Sequence, residues 1–358
     1  MKAVFFNPTK LKHASIRSVL AIFDEYREIV HTPLSLTFFS HGLNHVEQAA
    51  SFRTGRNNLI SRIKAVIYAM QYSGFRDYFV KNPNSVAVVW NGRHGIRHIF
   101  IQAAKDAGVK TLYLELSPIP NSITVDCTGI NYENSVPRQS DFFLKYEDKS
   151  LNWKYILKYF SQRSLTPSSQ NKENCLEQPY IFVALQSEGD SQLRDFGGNF
   201  RTVDSFLDAV CEASQAAIGL RKIFIKEHPN CSINATIKAK DYPNVEIVNH
   251  LDTIELCKNA DLILTVNSSV GLQALFLEKP VAAAGNAYWS IDGICYRARS
   301  VEELKALFVQ TFFDCDVSLR NSFLNYLVNE YYVLTSWQAD MRCSLPKNEQ
   351  LKIKKLLK

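Results

Sequence analysis

No stretch of the 358 residues approaches the roughly 18 consecutive apolar residues that a membrane-spanning helix needs. The apolar run in the opening MKAVFFNPTK is only four residues long, too short for a signal-peptide core. The chain is therefore expected to be soluble and cytoplasmic, at most peripheral at the inner face of the cytoplasmic membrane. Its eight cysteines (Cys127, Cys175, Cys211, Cys231, Cys257, Cys295, Cys315, Cys343) stand singly, without a CxxC pair or a Cys/His cluster at zinc spacing, and read as reduced thiols. There is no GxxxxGK[ST] and no strand-end GxGxxG, which argues against a P-loop ATPase and a dinucleotide oxidoreductase. No DxD motif sits at a strand end, so no obligatory metal and no resident cofactor is expected. Internal repeats and low-complexity tracts are also missing. The net charge of +6 is too mild for a nucleic-acid-binding protein, but it suits an anionic substrate or membrane surface.

What is present is ordinary globular composition, 46% hydrophobic and 21% charged, in a chain long enough for about two domains. Short buried strands are expected at 2–6 (KAVFF) and 34–39 (LSLTFF), with clearer ones at 85–90 (SVAVVW) and 110–114 (KTLYL). Between the last two, IRHIFIQAAKDA (96–107) has helical spacing and Gly108 suits a helix stop, which makes a βαβ unit. Region 57–82 and NWKYILKYF also read as helical. Residues 161–178 have almost nothing to bury, and the linker is placed at 166–178. Alternation then resumes, with strands at 180–185, 222–226, 245–248, 261–266 and 280–284 and helices near 202–218, 252–259 and 269–278. The layout is an N-terminal Rossmann-like domain (1–165), a C-terminal nucleotide-binding one (179–310), and C-terminal helices (311–358) packing back on the first. Two such α/β domains facing a central cleft place ligands beyond the carboxyl ends of their strands.

Polar residues at those strand ends are the site candidates. YIFVAL runs into Gln186-Ser-Glu-Gly-Asp190, where Asp190 is either a catalytic carboxylate or merely the cap of the next helix. KIFIK runs into Lys226-Glu-His228-Pro229, a cationic pair two residues apart that suits a phosphate or carboxylate; an incidental charged loop is the alternative. DLILTV runs through Asn267-Ser268-Ser269-Val-Gly271 into a helix whose N-terminus suits a nucleotide phosphate, unless Ser268 is a plain N-cap. In the N-terminal half, Asn91-Gly92-Arg93 follows SVAVVW, with Arg93 able to clamp a carboxylate, and Glu115 ends the next strand as a second carboxylate or a structural ion pair. Asp126 is read as ordering its own loop. Two carboxylates on opposing walls, with cations and a phosphate-binding helix start, form the inventory of a sugar transferase.

The passages VWNGR (89–93), LELSPIPNSITVDCTGINYENSVPR (114–138), VALQSEGDSQL (183–193), KEHPN (226–230) and NSSVGLQALFLEKPVAAAG (267–285) lie in the order that resembles the bacterial capsule polysaccharide biosynthesis family, the KpsC/KpsS-type retaining β-Kdo transferases. The resemblance implies a GT-B-like fold, a CMP-activated Kdo or related ulosonic acid as donor and co-substrate, and a glycan or lipid-linked saccharide as acceptor. It makes Asp190 the nucleophile, Glu115 the acid/base and Gln186 the neighbour of the nucleophile. Lys226, His228, Pro229, Asn267, Ser268, Ser269, Gly271 and Gln273 would hold CMP, while Asn91, Gly92 and Arg93 would meet the sugar carboxylate or the acceptor. Where the family usually has Glu-Ala, this chain has Gln273-Ala274, which removes a charge from the expected ribose contact. The lysine-rich tail SLPKNEQLKIKKLLK reads either as a basic amphipathic helix on an anionic membrane or as a solvated terminal helix. Rival readings are a UDP-sugar transferase or 2-epimerase of the same fold, and a non-catalytic glycan-binding or capsule-assembly subunit.

Overall fold

The computed structural model describes residues 1–37, 42–51, 59–147, 151–160, 179–230, 235–335 and 345–358. The expected linker at 166–178 lies outside them. The chain divides into two compact units, one of residues 1–117, 121–135 and 330–358 and one of residues 118–120 and 136–329.

The first unit begins β1 (Lys2–Phe6), α1 (Ala14–Leu20), β2 (Glu25–Ile29), α2 (Leu43–Ser51), α3 (Leu59–Val80), β3 (Ser85–Trp90), α4 (Gly95–Asp106), β4 (Lys110–Leu116) and β5 (Ser122–Asp126). Its sheet has the order β12-β5-β4-β3-β1-β2, where β12 (Tyr332–Leu334) arrives from the C-terminal segment. β1 to β4 are parallel, whereas β5 and β12 run antiparallel to their neighbours. The apolar runs of β1 and β3 are buried on both faces, as strands covered by helices on each side must be. Gly108, at φ +73°, ends α4 in the left-handed conformation that favours glycine. No strand forms at 34–37, and residues 38 and 39 of the expected strand fall outside the described residues. The edge strand is instead β2, whose sequence EYREI exposes all but its last residue.

The second unit contains α5 (Ser140–Leu144), α6 (Leu157–Phe160), β6 (Tyr180–Ala184), α7 (Ser191–Phe196), α8 (Val203–Ser214), β7 (Lys222–Lys226), α9 (Ala235–Ala239), β8 (Val245–Ile247), α10 (Thr253–Asn259), β9 (Leu262–Thr265), α11 (Ser269–Phe276), β10 (Val281–Ala283), β11 (Tyr296–Arg297), α12 (Val301–Val309) and α13 (Val317–Tyr326). Its sheet is parallel throughout, in the order β11-β10-β9-β6-β7-β8. That is the doubly wound Rossmann order, with the switch point between β6 and β9. Local signals agree with it: Thr202 and Ser205 form a capping box on α8, and Asp252 caps α10 through the Ile254 and Glu255 amides.

The division differs from the expected boundaries at both ends. Residues 136–160 belong with the second unit because their aromatics find partners there: Phe143 packs edge-on against Phe323 at 5.0 Å, and Trp153 against Phe276 at 5.9 Å. Helices α12 and α13 also stay with that unit. Only residues 330–358 return to the first, through β12 and α14 (Lys347–Leu356). The tail is not a free amphipathic helix. Ile353 and Leu357 are buried in the core with Val333 and Leu345, Glu349 is buried and accepts the Leu334 amide, and Lys352 donates to the Tyr332 carbonyl. The apolar face that would enter a bilayer is already used in packing.

Candidate functional site

In the second unit the chain leaves β6 toward one side of the sheet and β9 toward the other, which opens a crevice beyond their carboxyl ends. A cavity of about 560 Å³ occupies it, lined from four strand ends. Gln186, Asp190 and Gln192 come from the connection after β6, and Lys226 and His228 follow β7. Asn249 to Ile254 follow β8, and Ser268, Ser269, Val270 and Gln273 come from the start of α11.

Asp190 occupies the N-cap of α7, where its Oδ1 accepts the Gln192 amide at 2.9 Å. Its Oδ2 accepts from Gln186 Nε2 at 3.0 Å. Capping and siting at the cavity are therefore one placement, and each oxygen keeps a further lone pair. Gln186 is almost fully buried and its Oε1 accepts the Asn267 amide at 3.2 Å, so a single side chain ties the Asp190 carboxylate to the end of β9.

Lys226 is less free than its position suggested. Its Nζ donates to the Asn249 carbonyl at 2.9 Å and to the Leu251 carbonyl, so it closes the loop after β8. Burial lowers its pKa, opposed in part by the charge of Asp252. One N–H remains for a ligand. His228, past the end of β7, is exposed, and its Nδ1 accepts the Asn230 amide at 3.1 Å. With Nδ1 accepting, Nε2 is the ring nitrogen left to donate, and His228 lines the cavity. Ser268 caps α11 through the Val270 amide at 3.3 Å, and Ser269 opens the helix. Gln273 donates its Nε2 to the Pro118 carbonyl at 3.1 Å, a bond that a glutamate in its place could not make, since an ionised carboxylate has no donor.

Three of the residues expected to hold CMP do not line the cavity. Asn267 is buried and donates to the Gln192 carbonyl at 2.9 Å and the Asn286 carbonyl at 3.4 Å, joining two loops behind the cavity. Gly271 is required by packing: a Cβ there would stand 2.3 Å from the buried Trp289 ring. Pro229 is exposed and lies off the cavity. Conversely, Asn249, His250, Asp252 and Thr253 line the cavity without being among the expected residues. Their signal in the sequence is positional, since NHLDT is the loop that follows the strand VEIV.

In the first unit the turn after β3 holds Asn91 at φ +65° and Gly92 at φ +77°, where a Cβ on Gly92 would crowd Val89 and Tyr113. Asn91 Nδ2 donates to Glu115 Oε2 at 2.8 Å, and the Leu116 amide donates to Oε1 at 2.9 Å. Arg93 is ion-paired with Glu133, so its guanidinium is engaged within its own unit. Arg97, not singled out by sequence, lies near enough to Glu115 for that charge to oppose the lowering of its pKa by burial. Asp126 orders its loop: it is fully buried and accepts from the amides of Thr128, Gly129 and Ser135 and from the hydroxyls of Thr128 and Ser135. Among the described residues no group of three or more His, Cys, Asp or Glu is arranged to hold a metal ion, and no helix is long and apolar enough to cross a membrane.

Comparison with known proteins bears on this geometry. A family model described as capsule polysaccharide biosynthesis protein matches residues 144–336, more than half of the chain. Protein FixF of Sinorhizobium fredii (strain NBRC 101917 / NGR234) is 29% identical over 290 residues, covering 78% of this chain and 70% of that protein. The capsule polysaccharide export protein KpsS of Escherichia coli is 25% identical over 287 residues, covering 63% of this chain and 72% of that one. Among solved structures, the Thermosulfurimonas dismutans KpsC, a beta Kdo 2,7 transferase, superposes over the whole of both chains with a TM-score of 0.57 at 16% identity. At that identity the likeness is one of fold, and the fold is GT-B-like.

Proposed function

Because the chain belongs to the capsule polysaccharide biosynthesis family, we propose that it is a retaining glycosyltransferase that moves Kdo or a related ulosonic acid from a CMP-sugar to a capsule, lipopolysaccharide or other glycan or glycolipid acceptor. One observation carries the reading: Asp190, held through both oxygens, stands at a polar cavity that also contains the start of α11 and the imidazole of His228. The name of the KpsC structure, a beta Kdo transferase of the same fold, supports the choice of donor class.

In this mechanism the CMP phosphate sits against Ser268, Ser269 and His228, with the third N–H of Lys226 available to it. Asp190 attacks the anomeric carbon as CMP departs, and the helix start and its hydroxyls take up the leaving charge. Glu115, acting as base, removes the proton of the acceptor hydroxyl, which attacks the same carbon and releases Asp190. Two inversions give net retention. Gln186 orients Asp190 and does not itself react. With a lipid-linked acceptor the enzyme would work in peripheral contact with the inner face of the cytoplasmic membrane.

The test exploits the cap. In Asp190→Asn the Oδ1 remains to accept the Gln192 amide, so the helix cap survives while the nucleophile is lost. CMP is expected to raise the melting temperature of both wild type and variant, UDP of neither, and transfer from CMP-Kdo should vanish in the variant. Intact-mass measurement with donor alone should show a sugar adduct on wild type only. Full activity of the variant would sink the role of Asp190, and stabilisation by UDP in place of CMP would overturn the donor.

A further inference from the structure

The first half of α3 presents an apolar face to solvent. Leu59 is 70% exposed, Ile60 53%, Ile63 55%, Val66 64% and Ile67 45%. At the helical repeat of 100° per residue these five side chains fall within an arc of about 120°. They form one stripe, unlike the isolated surface apolar residues that any protein carries. Arg62 borders the stripe on one side and Lys64 on the other, and α3 has no carboxylate before Asp77. The face continues into an apolar groove of about 190 Å³ between α3, α2 and residues 35–37, lined among others by Leu36, Leu43, Val66 and Met70. Nothing among the described residues covers the stripe. A contiguous apolar patch of this kind marks an interaction surface.

We propose that this face of α3 is the surface on which the protein lies against an anionic lipid bilayer. A solvent-facing apolar stripe with a cation on each edge, and no acid along it, matches an interface of acyl chains below and anionic headgroups above: the branched side chains enter the hydrocarbon boundary while Arg62 and Lys64 reach up to phosphates. A second copy of this chain would bring Arg62 and Lys64 against their own like charges. The other basic amphipathic helix, α14, buries its apolar side in the core, so the exposed stripe of α3 is the better matched of the two. The choice of occupant rests on the reading of the protein as a transferase acting at a membrane; the surface itself does not.

Flotation of the full chain with vesicles tests it. Vesicles of phosphatidylcholine containing phosphatidylglycerol should carry the protein at low salt, and binding should weaken as salt rises. The double variant Ile63→Asp with Ile67→Asp should reduce the bound fraction at least ten-fold, as should Arg62→Glu with Lys64→Glu, whereas Lys354→Gln with Lys355→Gln should leave it unchanged. These side chains are surface-exposed or border the face, so the variants keep the wild-type melting temperature and its rise with CMP. That CMP response reads the transferase site separately. No flotation of the wild type, or flotation of the Ile63/Ile67 variant equal to wild type, overturns the proposal. So does a wild-type dimer in light scattering that the same variant converts to a monomer, since the face would then be a self-interface.

Discussion

Lowering the pH should destabilise the first unit through one buried imidazole. His98, on α4, is 8% exposed and its Nε2 has no hydrogen-bond partner among the described residues. Its ring lies 5.7 Å from that of His45. Burial, followed by the charges of His45, His94, Arg93 and Lys105, pushes its pKa down to about 4 from an ordinary value of 6.5. A depressed histidine is bound neutral in the folded state, so its contribution is fully present above the unfolded pKa and is lost as the pH falls from about 6.5 toward about 4. With those two values the linkage relation assigns this group a loss of about 2 kcal/mol between about pH 7.5 and about pH 5. Urea unfolding of wild type and His98→Asn at both pH values isolates it, because all other titrating groups cancel in the double difference. The substitution will shift stability by a constant amount, so only the slope matters. If the two proteins lose the same stability on acidification, to within about 0.5 kcal/mol of experimental resolution, the buried imidazole is not the acid-sensitive group and the reasoning fails.

Two further substitutions follow, one from core packing and one from a contact at the cavity. Gly271→Ala places a methyl group 2.3 Å from the ring of Trp289, which is itself 1% exposed and cannot swing away. The expected cost is about 1–3 kcal/mol, read as a lower melting temperature, and no change would mean that the ring has room to shift. Lys226→Met keeps the aliphatic stem but frees the carbonyls of Asn249 and Leu251. Losing bonds of roughly 1.5–3 kcal/mol to a charged donor should weaken CMP binding by at least ten-fold in calorimetry and speed hydrogen exchange in the 249–253 loop. Weaker binding with unchanged exchange would show that Lys226 acts on the ligand directly.

Much of the second unit was legible because each of its central strands is a short apolar run between helices; Ser268 caps its helix as its position suggests, and Thr202 and Asp252 cap theirs in the structure. Four strands fall outside that pattern. β2 is polar and exposed at a sheet edge, β11 has two residues, and β12 has three and pairs with β5 some two hundred residues earlier, whereas β5 (SITVD) is a buried run directly after the turn-rich SPIPN and carries no helix to mark it. The tail shows a deeper limit. Leu351, Ile353, Leu356 and Leu357 at helical spacing with interleaved lysines describe a membrane-surface helix and a core helix equally well, and only the burial of Ile353 and Leu357 decides between them. The strand-end rule found the cavity but not the role of each side chain in it. Lys226 and His228 are two apart, and that spacing aligns side chains only while the backbone stays extended; β7 stops at Lys226, so the ammonium turns to two carbonyls and the imidazole is left facing the cavity. Asp190 posed the opposite difficulty. Capping and catalysis are not exclusive readings of it: an N-cap carboxylate at the switch point of a parallel sheet is held by the very bond that caps the helix, and a fixed position is what the nucleophile proposed above would need.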